Sequence, residues 1–415
     1  MLKALLATLW KGYFTAVLSS LIFQTAAQTP IPPKGTVFNE SEMMADSITG
    51  RALLRLTKNR DYNQTPTYHI HTGFSADSRS MVFASWNTGG ESALMLGNVE
   101  TGDIKVIAVV QKGEHGHFNG NDICMIPAVN MAAAVRGDRL YVYDLNTLEE
   151  RMIIEAGEGF GFGHPTGSTD GKTLYVTKMP RYRRDVDDPY SAASSVYYEV
   201  DIETGKSSEI FRDKSRNNHT IVCPTDPDLL LIDRDLPPKF NHGGDDGRTT
   251  RVWLLNIKTK ELTEIRPLNP NRFQIHSNWS PDGNYVYYHG TSKHHDFPEG
   301  FRGKPHYIGV ANRSGKVIWE HIFPNFSYGH ISSHTTKNTI ITDGLFFSNM
   351  ITEIMWERLN SQGIPEIHIL GAHNSGSHTF GQHAHPHCIM SPNGRYLSYN
   401  NGTQVRSDVY ILRID

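Results

Sequence analysis

Apolar and polar residues alternate along this chain in short runs bounded by Asp, Asn and Gly, and the runs recur. From Tyr68 onward a weak pattern repeats every 46 to 57 residues: a histidine, a polar turn, an alternating strand, then further strands. The units start HTGFSADSRSMVFAS at His71, HFNGNDICMIPA at His117, HPTGSTDGKTLYVT at His164, HTIVCPTDPDLLLID at His219, HSNWSPDGNYVYYHG at His276, HISSHTTKNTIITDG at His330 and HCIMSPNGRYLSYN at His387. In four of them a serine stands four residues after the histidine: Ser75, Ser168, Ser280 and Ser391. Later in the unit come paired strands such as RLYVYDLNTLEERMI and RVWLLNIKTKELTEI, joined by polar turns. Period-two alternation predicts strands, and helical spacing is nearly absent, the exception being Ser348 to Leu359.

Each unit therefore reads as a four-stranded antiparallel sheet, and seven such sheets predict an all-β, seven-bladed β-propeller. The seventh unit ends at Asp415 short of four strands, and RALLRL, Arg51 to Leu56, lies before the first unit. An N-terminal strand joining the C-terminal blade would close the ring. Ahead of it, Lys3 and Lys11, the apolar run Tyr13 to Phe23 and Thr25-Ala26-Ala27 have the order of a secretory signal, so residues 1–27 are expected to be a signal peptide and 28–415 a single propeller domain. The expected location is secreted or periplasmic. No second hydrophobic segment follows, so no membrane attachment is expected once the signal is removed. TPIPPK, Thr29 to Lys34, is a Pro-rich lead-in.

Composition narrows the function. A net charge of −3 provides no concentrated basic surface for nucleic acid. Three widely spaced cysteines, Cys124, Cys223 and Cys388, make no disulfide framework and read as buried small residues. Histidine is the anomaly, with 21 residues. In a propeller the start of each blade's first strand faces one mouth of the central channel, so the unit-initial histidines would ring that opening, with some of them, His71 and His164 first, serving only as hydrogen-bond partners between blades. The stretch GQHAHPHCIMSPNG brings Gln382, His385 and His387 together. If it is extended, the two histidines project from one face; solvated loop histidines are the alternative. Few carboxylates stand at the blade starts, which disfavours a glycosidase with its two flanking acids, and no G-x-S-x-G elbow occurs. Imidazole and amide donors suit Mn, Zn, Ni or Fe rather than an all-oxygen calcium site. A cation on a uronate carboxylate, with a neutral base nearby, suits removal of the C5 proton.

These residues resemble the oligogalacturonate lyases, seven-bladed propeller polysaccharide lyases that cleave pectin-derived oligosaccharides by β-elimination. GQHAHPHCIMSPNG resembles the family's Gln-x-x-His-Pro-His metal motif, which implies Gln382, His385 and His387 as ligands. YGHISSHTTKNTIITDG is similar to the segment giving the remaining ligand, which falls on His330, with His334 or His321 as the fallback. IHSNWSPDG is similar to the segment with the catalytic base, which falls on His276. TRVWLLN resembles the Arg-Ile-Trp segment and implies Arg251 near the substrate and the base. The resemblance implies a divalent metal, manganese first, with zinc or another transition metal as the alternative, and an acidic oligosaccharide as substrate.

Around this core, His219, Arg234 and Arg181 are candidate sugar contacts, with Arg183 and Arg184 beside Arg181 in a charged loop. Asp245 and Asp246 are a weaker calcium candidate, and His294 and His295 read as solvent-facing. The connections 179–190, 241–248 and 292–304 are long for a propeller. Two features depart from the resemblance. Typical members act inside the cell, and an acidic residue commonly follows the base, where this chain has Ser277. The leader favours an alternative polymer, ulvan or another rhamnose- and glucuronate-containing polysaccharide. A non-catalytic propeller that binds a sugar or a protein is the alternative from another class. Nothing in the sequence sets the oligomeric state.

Overall fold

Seven antiparallel sheets follow one another along the chain. The structure, a computed structural model, describes residues 29–59, 61–181, 194–236, 250–267, 272–292, 306–323, 329–344, 349–375, 382–403 and 406–415. The expected signal peptide lies outside them, as do Arg183, Arg184, Asp245, Asp246, His294, His295 and most of the three long connections. Within the unit Ile31–Asp415 the sheets form a seven-bladed β-propeller. We number the blades 1 to 7 by their first strands: Tyr62–Pro66, Ile123–Ile126, Thr166–Gly167, Arg216–Cys223, Arg272–Trp279, Ile331–Ser333 and Ile389–Met390. Among the described residues, no helix is long and apolar enough to cross a membrane.

Both faces of a blade are covered by neighbours, and seven apolar clusters fill the seven interfaces. That coverage corrects the helical reading of Ser348 to Leu359, because Met350–Leu359 is the third strand of blade 6. Ile351 packs toward blade 7, whereas Ile354 and Trp356 pack toward blade 5. Apolar residues on both faces of one strand imitate helical spacing.

The shared serine is a turn clasp. Ser75 Oγ donates to Asp77 Oδ1 at 2.7 Å and accepts from the backbone N–H of Ser80 at 3.0 Å. Ser168 with Asp170 and Thr173, Ser280 with Asp282 and Tyr285, and Ser391 with Asn393 and Tyr396 repeat it. Each clasp fixes the hairpin after a first strand, and so the register of that strand on the channel.

Blade 7 is built from both ends of the chain. Ala52–Arg55 pairs with Ser407–Arg413, with Leu53 opposite Leu412 and Leu54 opposite Ile411. Period two sends the leucines to opposite faces, Leu53 into the blade 6/7 cluster and Leu54 into the blade 7/1 cluster. Arg55 reinforces the seam through Asp408 at 2.7 Å. Asp46, in the turn before this strand, accepts from Thr49 N at 2.7 Å and from Ala372 N of blade 6 at 2.8 Å. Cys124, Cys223 and Cys388 are buried free thiols.

Leu54→Ala is expected to cost about 2–5 kcal/mol, read as a lower urea midpoint at unchanged slope; an unchanged midpoint would remove the strand from the cooperative fold. Burial would raise the Asp46 carboxyl, but the Thr49 and Ala372 N–H groups and the Thr49 hydroxyl outweigh it and hold it below 3.8. Its contribution is therefore present above the ordinary carboxylate pKa and lost as pH falls through the depressed one. Asp46→Ala should cost about 1–3 kcal/mol at neutral pH, with the deficit fading in acid titrations of denaturant stability.

Candidate functional site

The first strands converge on a channel filled with imidazoles. Blade 1 contributes Tyr68, His69 and His71 just after its first strand, and all three are buried. The Tyr68 ring lies 4.3 Å from His69, 4.7 Å from His387, 5.1 Å from His164 and 5.4 Å from His219, centre to centre. Through these rings, four of the seven blades meet around one phenol.

His330 precedes the first strand of blade 6, and His385 and His387 follow a single helical turn, Gln382–Ala384, that leads into blade 7. One ring nitrogen from each of His330, His385 and His387 lies within 4.8 Å of the others. The segment is not the extended strand the sequence suggested. His387 has φ of 49°, a left-handed conformation that costs a non-glycine residue about 1–3 kcal/mol. Asp343 holds that geometry: its carboxylate accepts from the backbone N–H of His330 at 2.6 Å and of His387 at 3.1 Å, and faces His330 Nδ1 at 3.3 Å. Burial would raise this carboxyl, but His330 beside it overrules burial and brings it down to about 2. His373 Nε2 caps the Asp343 carbonyl at 2.9 Å.

The arrangement fits a metal ion. Burial holds His387 neutral, well below the usual imidazole range. Neither of its ring nitrogens has a hydrogen-bond partner among the described residues. Each buried orphan of that kind costs about 1–3 kcal/mol unless something occupies the lone pair. Gln382 has its backbone on the turn beside these histidines, and its side chain lies outside the description.

His276 stands on the first strand of blade 5, where a register shift between Gln274 and His276 re-aims the side chain. Its Nδ1 meets Nε2 of His289, on the next strand, at 2.9 Å, and its Nε2 lies 3.4 Å from the Tyr68 hydroxyl. Burial, then the neighbouring His330 and His69, hold it well below the usual imidazole value, so it is neutral. Ser277, where an acidic residue was expected, donates instead to the buried Asp233, which also pairs with Arg251 at 3.7 Å. Arg251 lies just before the strand Val252–Asn256, and its charge acts on both His276 and His289. His219 joins the group through Tyr68, Nε2 to hydroxyl at 3.3 Å.

Other candidates fall away from this cluster. Arg234 is clamped to Asp213 at 2.8 Å and lies over the Trp253 ring at 4.4 Å. Arg181 is exposed and donates to the Phe160 carbonyl at 2.9 Å. His117 is exposed, because blade 2 begins its first strand only at Ile123, so the expected ring of seven loses that member. His164 hydrogen-bonds Asp122 of blade 2 and Asn218 of blade 4, a role between blades. His334 accepts from Thr336 N within its own turn, and His321 lies on an outer strand. Sequence reasoning missed Tyr68, His69, His289 and Asp343. The only signal for the first two was the alternation in Tyr-His-Ile-His.

No protein-family model matches the chain. The oligogalacturonate lyase of Dickeya dadantii (strain 3937) is 22% identical over 253 residues, which span 59% of this chain and 62% of that protein, less than two thirds of its length. Among solved structures, an oligogalacturonate lyase in complex with manganese superposes with a TM-score of 0.72 at 18% identity, covering 92% of this chain and 99% of that one. The oligogalacturonate lyase from Vibrio parahaemolyticus gives 0.71 at 20% identity over the same shares. The chain is therefore similar to oligogalacturonate lyases, and it shares their seven-bladed fold over nearly its whole described length.

Proposed function

We propose that this protein is a metal-dependent polysaccharide lyase that cleaves 4-linked uronate oligosaccharides by β-elimination. The observation that carries the reading is the convergence, in one channel, of His330, His385 and His387 beside a neutral His276. The similarity to lyases of this class supports it.

His330, His385 and His387 would hold the ion, with Gln382 offering an amide oxygen, and manganese is favoured by the neighbour solved with it. When bound, such an ion supplies positive charge to the uronate carboxylate, which acidifies the adjacent C5–H bond. The chain does the rest. His276 takes the C5 proton; the C–H pair becomes the C4–C5 double bond; the C4–O4 bond breaks; and its electrons leave on O4, which gains a proton to become a hydroxyl. His289 orients His276 through Nδ1, the part that a following carboxylate was expected to play. Tyr68, between His276 and His219, is placed to exchange a proton with either. Arg251, kept in place by Asp233, adds fixed positive charge beside the developing carbanion.

The leader at residues 1–27 supports action outside the cytoplasm, in the periplasm or medium. It also favours a second polymer, ulvan or another glucuronate-containing polysaccharide, with the same site.

Protein incubated with oligogalacturonate, ulvan or glucuronate oligomers should raise ultraviolet absorbance from the 4,5-unsaturated product on one of them, and a chelator should abolish the rise; silence on all would leave the binding-module reading. His276→Ala should lower kcat/KM by about 10²–10⁴-fold with bound metal unchanged. Asp343→Asn should weaken metal binding about 10–100-fold in calorimetric titration of metal-free protein, because the backbone and ring of His330 lose their common anchor.

A further inference from the structure

His330 is a vertex of two triangles of imidazoles. One is completed by His385 and His387. The other is completed by His69 and His276, with ring centres 4.9 Å apart for His69 and His276, 4.8 Å for His69 and His330, and 4.7 Å for His276 and His330. One nitrogen from each of this second set also lies within 4.8 Å of the others, and all three residues are buried.

His69 has no part in the reaction described above, yet it is built as a ligand. Its Nδ1 lies 2.8 Å from the carbonyl oxygen of Ile331, in blade 6. A carbonyl only accepts, so Nδ1 carries the proton and Nε2 the lone pair. That Nε2 is buried and makes no hydrogen bond among the described residues. His330 has Nδ1 against the Asp343 carboxylate, and His276 has Nδ1 against His289 and Nε2 3.4 Å from the Tyr68 hydroxyl, a contact that an ion would replace. An outer partner that fixes one ring nitrogen is the usual arrangement of metal-binding histidine.

We propose that His69, His276 and His330 form a second seat for a divalent transition-metal ion, exclusive of the His330–His385–His387 seat because both draw on the same nitrogen of His330. The identity of the first seat rests on the function proposed above. An ion in the second seat occupies the lone pair of His276, so the chain contains its own resting state: the ion is retained while the base is withdrawn. Three neutral nitrogen donors favour cobalt or zinc over manganese. The softer ions therefore populate the second seat more than manganese does.

The test uses cobalt as the probe. His385→Ala/His387→Ala protein, checked for native circular dichroism, is dialysed against Co2+ and its bound metal measured. It should retain one ion per chain, and adding His69→Phe should weaken that binding by about 100-fold or more, beyond the loss of an outer partner alone. A double variant that folds and binds no cobalt overturns the proposal. Should that variant not fold, cadmium-113 resonance of the otherwise unaltered protein decides. Two environments, or one line broadened by exchange, should become a single sharp line in His69→Phe, and a single line unmoved by that change overturns the second seat. Neither readout uses lyase activity. A protein inert on every uronate but positive here would sink the proposed reaction and leave the seat standing, and the converse result would do the opposite.

Discussion

The carboxylate of Asp343 is the constraint on which the centre of this molecule depends. It is a buried anion with no lysine or arginine beside it in the described contacts, neutralised by the N–H groups of His330 and His387 and by the His330 ring. Leaving such a group in a low-dielectric interior is affordable only while those donors stay in place. They come from two blades, so the same contact that satisfies the charge sets the position of blade 7's entry loop against blade 6. The left-handed backbone of His387 stands at the residue whose N–H meets that carboxylate.

The channel shows how a propeller tolerates polar residues at its core. The interfaces between blades are apolar and account for most of the burial, while the axis, where first strands diverge, collects histidine, tyrosine and aspartate. Imidazole suits that position because it is neutral when desolvated, carries both a donor and an acceptor, and bridges neighbouring strands. His164 does only this bridging. His69 and His387 instead keep buried nitrogens without hydrogen bonds among the described residues.

The repeat was legible because its cause is local. Alternation marks the strands, and the Ser-x-Asp/Asn turn that clasps four of the blades is written within a few residues. Histidine spacing placed His276, His330, His385 and His387 near one another for the same reason. What was illegible arises between blades. His289 matters only because a register shift turns His276 toward it, and Asp343 only because two loops from different blades meet on it. His117 misled because the first strand of blade 2 starts only at Ile123, well past the histidine. The strand Met350–Leu359 misled because burial on both faces erases period two.

In the proposed reaction, Ser277 stands where the resemblance places an acidic residue after the base, and His289 would take over that residue's role. A carboxylate beside the base would raise the basicity of His276 and fix its tautomer. Here Ser277 turns away to Asp233, which steadies Arg251, and orientation of His276 passes to His289. A neutral imidazole partner orients His276 without adding negative charge beside it. His276 therefore stays a weak, unprotonated base rather than a standing imidazolium. Such a base matches a proton already acidified by a neighbouring cation. It would be poorly matched to an unactivated one, since transfer is efficient only when the two proton affinities approach each other.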